Sequence, residues 1–97
     1  MQKIRYAGAQ IPCSEHLDQN IKSIKDAISW AAENEVDYLL TPEGSLSGYF
    51  PGFETLNGRS IQDLVDAEKQ VVGYAAHMGV GLCLGTMWCE PDDIYPE

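Results

Sequence analysis

One apolar stripe constrains this chain more than any other feature. Between positions 17 and 33, apolar residues recur at steps of four, three, four and three, the period of a helix with one buried face. The members of the stripe are Leu17, Ile21, Ile24, Ile28 and Ala31. Strand-like segments precede it at Lys3–Gln10 and follow it at Val36–Thr41, so the pattern predicts a βαβ unit with parallel strands. The second strand is almost continuously apolar, which is typical of a strand buried on both faces.

After a long connection, the second half of the chain again predicts a helix followed by a strand. Residues 42–59 are rich in glycine, proline and aromatic residues and predict a loop. A second helix is expected from an N-cap at Ser60 to a stop at Gly79, because these residue types favour those two positions. Val80–Met87 predicts a third strand, with Cys83 as a small buried side chain. The predicted fold class is α/β, in the order β-α-β-loop-α-β.

Composition limits the partners and the compartment. The 97 residues suit one small domain or part of a larger one, and the net charge is −9 with the six basic residues scattered. Nucleic acid and anionic membranes are therefore not expected partners, because both need a basic surface. No apolar run approaches the roughly 20 residues of a membrane span, and the first residues lack the apolar core of a signal peptide.

The cysteines and histidines point to a reducing compartment without a metal site. The three cysteines form no C-x-x-C pair, which favours free thiols and the cytoplasm. Neither His16 nor His77 lies in a set of three or more closely spaced cysteines and histidines, so we expect no metal. No phosphate-binding glycine motif is present either, and no cofactor is predicted.

A single carboxylate, Glu43, follows the second strand directly. Pro42 ends the strand because it cannot donate to the ladder, and Gly44 permits backbone angles closed to other residues. In open α/β sheets ligands bind beyond the carboxyl ends of the strands, so Glu43 is a candidate catalytic residue. The alternative is a solvated loop glutamate without a chemical role.

The aromatic residues of the long connection are candidates for a binding role. Tyr49, Phe50 and Phe53 favour a buried position over disorder. They would either plug the end of the sheet or line a substrate pocket.

The residues around Glu43 resemble the carbon–nitrogen hydrolase (nitrilase) family. The segment that carries the resemblance is Leu40-Thr41-Pro42-Glu43, followed by Leu46 and Gly48-Tyr49. Further similar positions are Gln10 at the end of the first strand, Asn20 in the first helix, and Gly79-Val80 leading into Leu84-Gly85-Thr86. The resemblance covers residues 1–97 as the N-terminal part of one hydrolase domain, and it implies an α-β-β-α sandwich.

The resemblance also implies a Glu–Lys–Cys triad acting on a nitrile or a non-peptide amide. The thiolate adds to the carbon, ammonia or an amine leaves, and water releases the acid from the resulting thioester. Glu43 matches the glutamate, which would take the thiol proton and then activate water. The family's lysine and cysteine lie on later strands, so neither role is assigned to Lys69, Cys13, Cys83 or Cys89. The resemblance therefore implies an enzyme that is inactive as this 97-residue piece alone and forms homo-oligomers at full length.

Two other classes stay open on the sequence. One is a small non-catalytic α/β module that binds a partner. The other is a truncated remnant with an uncovered sheet edge.

Overall fold

The structure, a computed structural model, describes residues 3–12, 14, 16–47 and 61–85. Within them the chain forms three strands and two helices, in the predicted α/β order. The elements are β1 (Tyr6–Gly8), α1 (Leu17–Glu33), β2 (Tyr38–Leu40), α2 (Ile61–Met78) and β3 (Gly81–Cys83).

The strands form one parallel sheet in the order β1-β2-β3, which confirms the predicted parallel pairing. Ala7 lies beside Leu39, and Leu39 lies beside Leu82. Each strand is shorter than predicted, although single hydrogen bonds continue the pairing past the regular ladder. Ala9 N–H donates to the Leu40 carbonyl at 2.8 Å, and Thr41 N–H donates to the Cys83 carbonyl at 3.0 Å.

Both helices pack on the same face of this sheet. Leu39 is 1% exposed and belongs to one core cluster with the inner sides of α1 and α2. Right-handed crossovers that step along a sheet in one direction place successive helices on one face, which explains the arrangement. The prediction that β2 is buried on both faces is therefore wrong.

The other face of the sheet is apolar and exposed, and is called the open face below. It carries the side chains of Ile4, Tyr6, Tyr38, Leu40 and Cys83. Tyr6 is 67% exposed and stacks on Tyr38 with ring centroids 5.6 Å apart. The prediction that Cys83 is buried is wrong, because this residue alternates away from the helices, on the side of Leu40.

The apolar stripe of the first helix was predicted correctly. Helix α1 has the predicted bounds, and four stripe members are buried while Ile21 is half-buried. The N-cap residue is His16, which makes no side-chain capping bond. Ser14 instead accepts a hydrogen bond from the His16 N–H at 2.9 Å, ahead of the helix.

The two helices end in the same way with different residues. Gly79 follows α2 with φ 74°, and the next amide, Val80 N–H, donates to the Ala75 carbonyl, which is a Schellman ending. Glu35 stands at the matching position after α1 with φ 58°, and Val36 N–H donates to Ala31. The prediction for Gly79 is confirmed. The predicted cap at Ser60 lies outside the described residues.

Candidate functional site

Glu43 lies in a turn directly after β2, at the carboxyl edge of the parallel sheet. Its side chain is exposed. Gly44 has φ 73°, which confirms the expectation that glycine is needed there. Ser45 N–H donates to the Pro42 carbonyl at 3.0 Å and closes the turn. The position predicted for Glu43 at a strand end is therefore borne out by the backbone.

The turn is fastened to the end of β3 through Thr41, Ser45 and Gly85, which we call the clamp. Gly85 N–H donates to Thr41 Oγ1 at 2.8 Å, and Ser45 Oγ–H donates to the Gly85 carbonyl oxygen at 2.9 Å. The two hydroxyl oxygens lie 2.8 Å apart. Leu46 N–H adds a longer bond of 3.3 Å to the same carbonyl. Both backbone polar groups of Gly85 are thus used by the turn.

Gly85 also allows a close approach that no other residue would permit. A Cβ atom at this position would overlap the Pro42 carbonyl group and lie 2.9 Å from the Glu43 Cα atom. The peptide between Pro42 and Glu43 therefore rests directly on the backbone of Gly85.

A second fastening joins the turn to the start of α1. Asn20 is 1% exposed, and its Nδ2 donates to the carbonyl oxygens of Leu46 and Ser14, each at 2.8 Å. Its Oδ1 accepts the Ser14 N–H at 3.0 Å. One buried amide thereby holds the loop before α1 and the turn after β2 together.

Sequence reasoning missed the clamp and the role of Asn20. Thr41 and Ser45 flank the Pro-Glu-Gly run in sequence, and this was the one available signal. The family resemblance includes Asn20 and Gly85, but no local pattern indicates their contacts with the turn, because Leu46 lies 26 positions from Asn20 and Thr41 lies 44 positions from Gly85.

The predicted pocket residues Tyr49, Phe50 and Phe53 lie outside the described residues. Their role, as a plug at the end of the sheet or as the lining of a substrate pocket, therefore stays a prediction. Lys69 is exposed on α2, and Cys83 lies on the open face. Among the described residues, no three histidine, cysteine, aspartate or glutamate side chains are placed to share a metal ion.

An open cleft lies at the opposite, amino edge of the sheet. Its volume is about 630 Å³, and its lining includes Lys3, Asp37, Tyr38 and Gly81. Asp37 already accepts the Arg5 N–H at 2.8 Å, so its carboxylate helps to join β1 to β2. The cleft is separate from the Glu43 turn, because the two lie at opposite ends of the parallel strands.

Comparisons with protein-family models, with curated proteins and with solved structures found no match. No helix in the described part of the chain has the length and apolarity needed to cross a bilayer. A carboxylate on a doubly fastened turn can accept a proton from a neighbouring group.

Proposed function

We propose that this chain is the N-terminal part of a carbon–nitrogen hydrolase domain of the nitrilase type, with Glu43 as the general base. The observation that carries the proposal is the position of Glu43 on a fastened turn at the carboxyl edge of a parallel sheet. A general base must lie within about 2.6–3.2 Å of the proton it removes. A carboxylate held by its backbone on two sides suits that requirement better than one on a free loop.

In the proposed reaction, Glu43 takes the proton of a cysteine thiol. None of Cys13, Cys83 and Cys89 is assigned as that cysteine. The thiolate forms a bond to the substrate carbon. From an amide, ammonia or an amine leaves with the transferred proton and a thioester results. From a nitrile, the transferred proton goes to nitrogen and a thioimidate forms, and a first water must add to its carbon before ammonia leaves and the same thioester results. Glu43 then removes a proton from water, which attacks the thioester carbon. The carboxylic acid leaves and the thiol is regenerated.

The open face supports the finer fold assignment, an α-β-β-α sandwich. Its exposed apolar side chains include Tyr6, Tyr38 and Leu40, and in water such a surface is costly. In a sandwich a second sheet packs about 10 Å above the first and removes that surface from water.

The remaining parts of the proposal concern the substrate and the setting. The substrate is a small nitrile or non-peptide amide, with Tyr49, Phe50 and Phe53 lining its pocket. The protein acts in the cytoplasm, needs no cofactor and forms homo-oligomers at full length.

The test is Glu43→Gln in the natural full-length protein, assayed against a panel of nitriles, primary amides and carbamoyl compounds. Loss of the base is expected to lower kcat/KM by about 10²–10⁴-fold, the usual contribution of a general base. The matched control is Glu35→Gln, the same change at an exposed glutamate at the other end of β2. The control is expected to keep the activity of the unaltered protein. A loss below tenfold for Glu43→Gln, or no hydrolysis of any panel member, contradicts the proposal.

The open face also favours a second candidate, a non-catalytic module whose apolar sheet face binds a partner protein. The two candidates predict different lengths for the natural protein. Intact mass of the natural protein distinguishes them: a chain near 97 residues favours the module, and a much longer one favours the hydrolase.

A further inference from the structure

We propose that Thr41, Ser45 and Gly85 are positioning residues for Glu43; this inference rests on the proposed function above. The clamp joins the carboxyl ends of β2 and β3 on both sides of the glutamate. Thr41 precedes Glu43 by two positions and Ser45 follows it by two, and each hydroxyl lies within 2.9 Å of a backbone group of Gly85. Glu43 therefore stands at the middle of a span whose two ends are tied to one residue.

The close approach of Gly85 determines how near the Pro42–Glu43 peptide lies to the end of β3. Because a Cβ would overlap the Pro42 carbonyl, the Pro42–Glu43 peptide lies in direct contact with the end of β3. Ser45 is 0% exposed, so water does not compete for its bond to Gly85. The Cα atom of Glu43 is consequently placed by β3 as well as by its own strand.

Such a device matters for the rate more than for folding. The hydroxyls of Thr41 and Ser45 bond to Gly85 and to each other, and act on the carboxylate only through the backbone. A base displaced by 1 Å can cost about 10²-fold in rate while the substrate still binds. Loss of a clamp hydroxyl is therefore expected to lower kcat and to leave KM nearly unchanged.

The experiment compares Thr41→Val and Ser45→Ala with Ser29→Ala in the natural full-length protein. Ser29 is a matched control: its hydroxyl lies 2.6 Å from the Tyr74 hydroxyl, in a part-buried contact between α1 and α2, away from Glu43. Each clamp variant is expected to lower kcat at least about tenfold with KM within about twofold. Ser29→Ala is expected to keep both constants, and Thr41→Ser, which keeps the hydroxyl, is expected to restore most of kcat.

A second readout is independent of activity. Amide hydrogen exchange of Leu46 and Gly85 is expected to speed up in Ser45→Ala and to stay unchanged in Ser29→Ala. Gly85→Ala would be the most direct variant, but overlap with Pro42 threatens folding, so the hydroxyl variants carry the test.

The outcomes separate this inference from the function on which it rests. If Glu43→Gln abolishes hydrolysis while both clamp variants keep kcat, Glu43 is still supported as the general base, and the positioning role of the clamp is overturned. The positioning role is also overturned if Ser29→Ala lowers kcat as much as Ser45→Ala, since the effect is then one of general stability. If Glu43→Gln has no effect, the proposed function fails, and the positioning role toward a base fails with it.

Discussion

Replacing Asn20 with alanine removes the buried side chain that ties α1 to the turn carrying Glu43. Three hydrogen bonds are lost: two from Nδ2, to Leu46 and Ser14, and one to Oδ1, from the Ser14 amide. The Leu46 carbonyl loses this partner in a buried environment, since Leu46 is 0% exposed. Each hydrogen bond contributes about 0.5–1.5 kcal/mol net, and a buried unsatisfied group costs about 1–3 kcal/mol. We therefore expect Asn20→Ala to lower the free energy of unfolding by about 2–4 kcal/mol.

The assay is urea or thermal unfolding followed by circular dichroism. For a domain of this size, a loss of this order lowers Tm by about 10–25 °C. Asn34→Ala is the matched control, because its Nδ2 donates to the Trp30 carbonyl at 2.8 Å from an exposed position where water can replace it. The control is expected to change the free energy of unfolding by less than about 0.5 kcal/mol. Asn20→Asp keeps the shape and removes the donors, so it is expected to be at least as destabilising as alanine.

The reasoning is refuted if Asn20→Ala and Asn34→Ala differ by less than about 0.5 kcal/mol, which is the scatter expected among surface substitutions. That result would mean that water replaces the buried amide, or that the turn after β2 relaxes without cost. An Asn20→Asp variant as stable as the unaltered chain would refute it equally, because a carboxylate cannot donate to either carbonyl.

Two further predictions concern a helix ending and an interhelical contact. Glu35→Gly is expected to raise the free energy of unfolding by up to about 1 kcal/mol. Glycine removes the strain of the left-handed backbone at φ 58°, and this gain exceeds the cost of the greater entropy that glycine gives the unfolded chain. Glu33→Gly, the same change inside α1, is expected to lower it by about 0.5–1 kcal/mol, and equal signs in chemical denaturation would contradict the reasoning. Tyr74→Phe is expected to cost about 0.5–1.5 kcal/mol, because it removes the bond to Ser29 at 2.6 Å. Tyr38→Phe on the open face is the control with an expected change near zero, and a similar cost at both tyrosines in thermal unfolding would argue against the Ser29 contact.

The elements that the sequence predicted well are those whose signals are local. The apolar stripe predicted α1 with both of its ends, because helical periodicity is a property of neighbouring residues. Gly44 and Gly79 were predicted correctly for the same reason: each must adopt a positive φ within its own turn. The place of Glu43 at the end of β2 also followed from its immediate neighbours.

The sequence alone therefore determined the order of the elements, the inner face of α1 and the strand-end position of Glu43. Only the tertiary structure decided that both helices cover one face of the sheet, which left Cys83 and Leu40 exposed on the open face. It alone also brought Gly85 and Asn20 to the Glu43 turn. The physical reason is distance along the chain: a hydrogen bond or a close approach between remote segments depends on how the layers stack, and no local pattern of side chains encodes it.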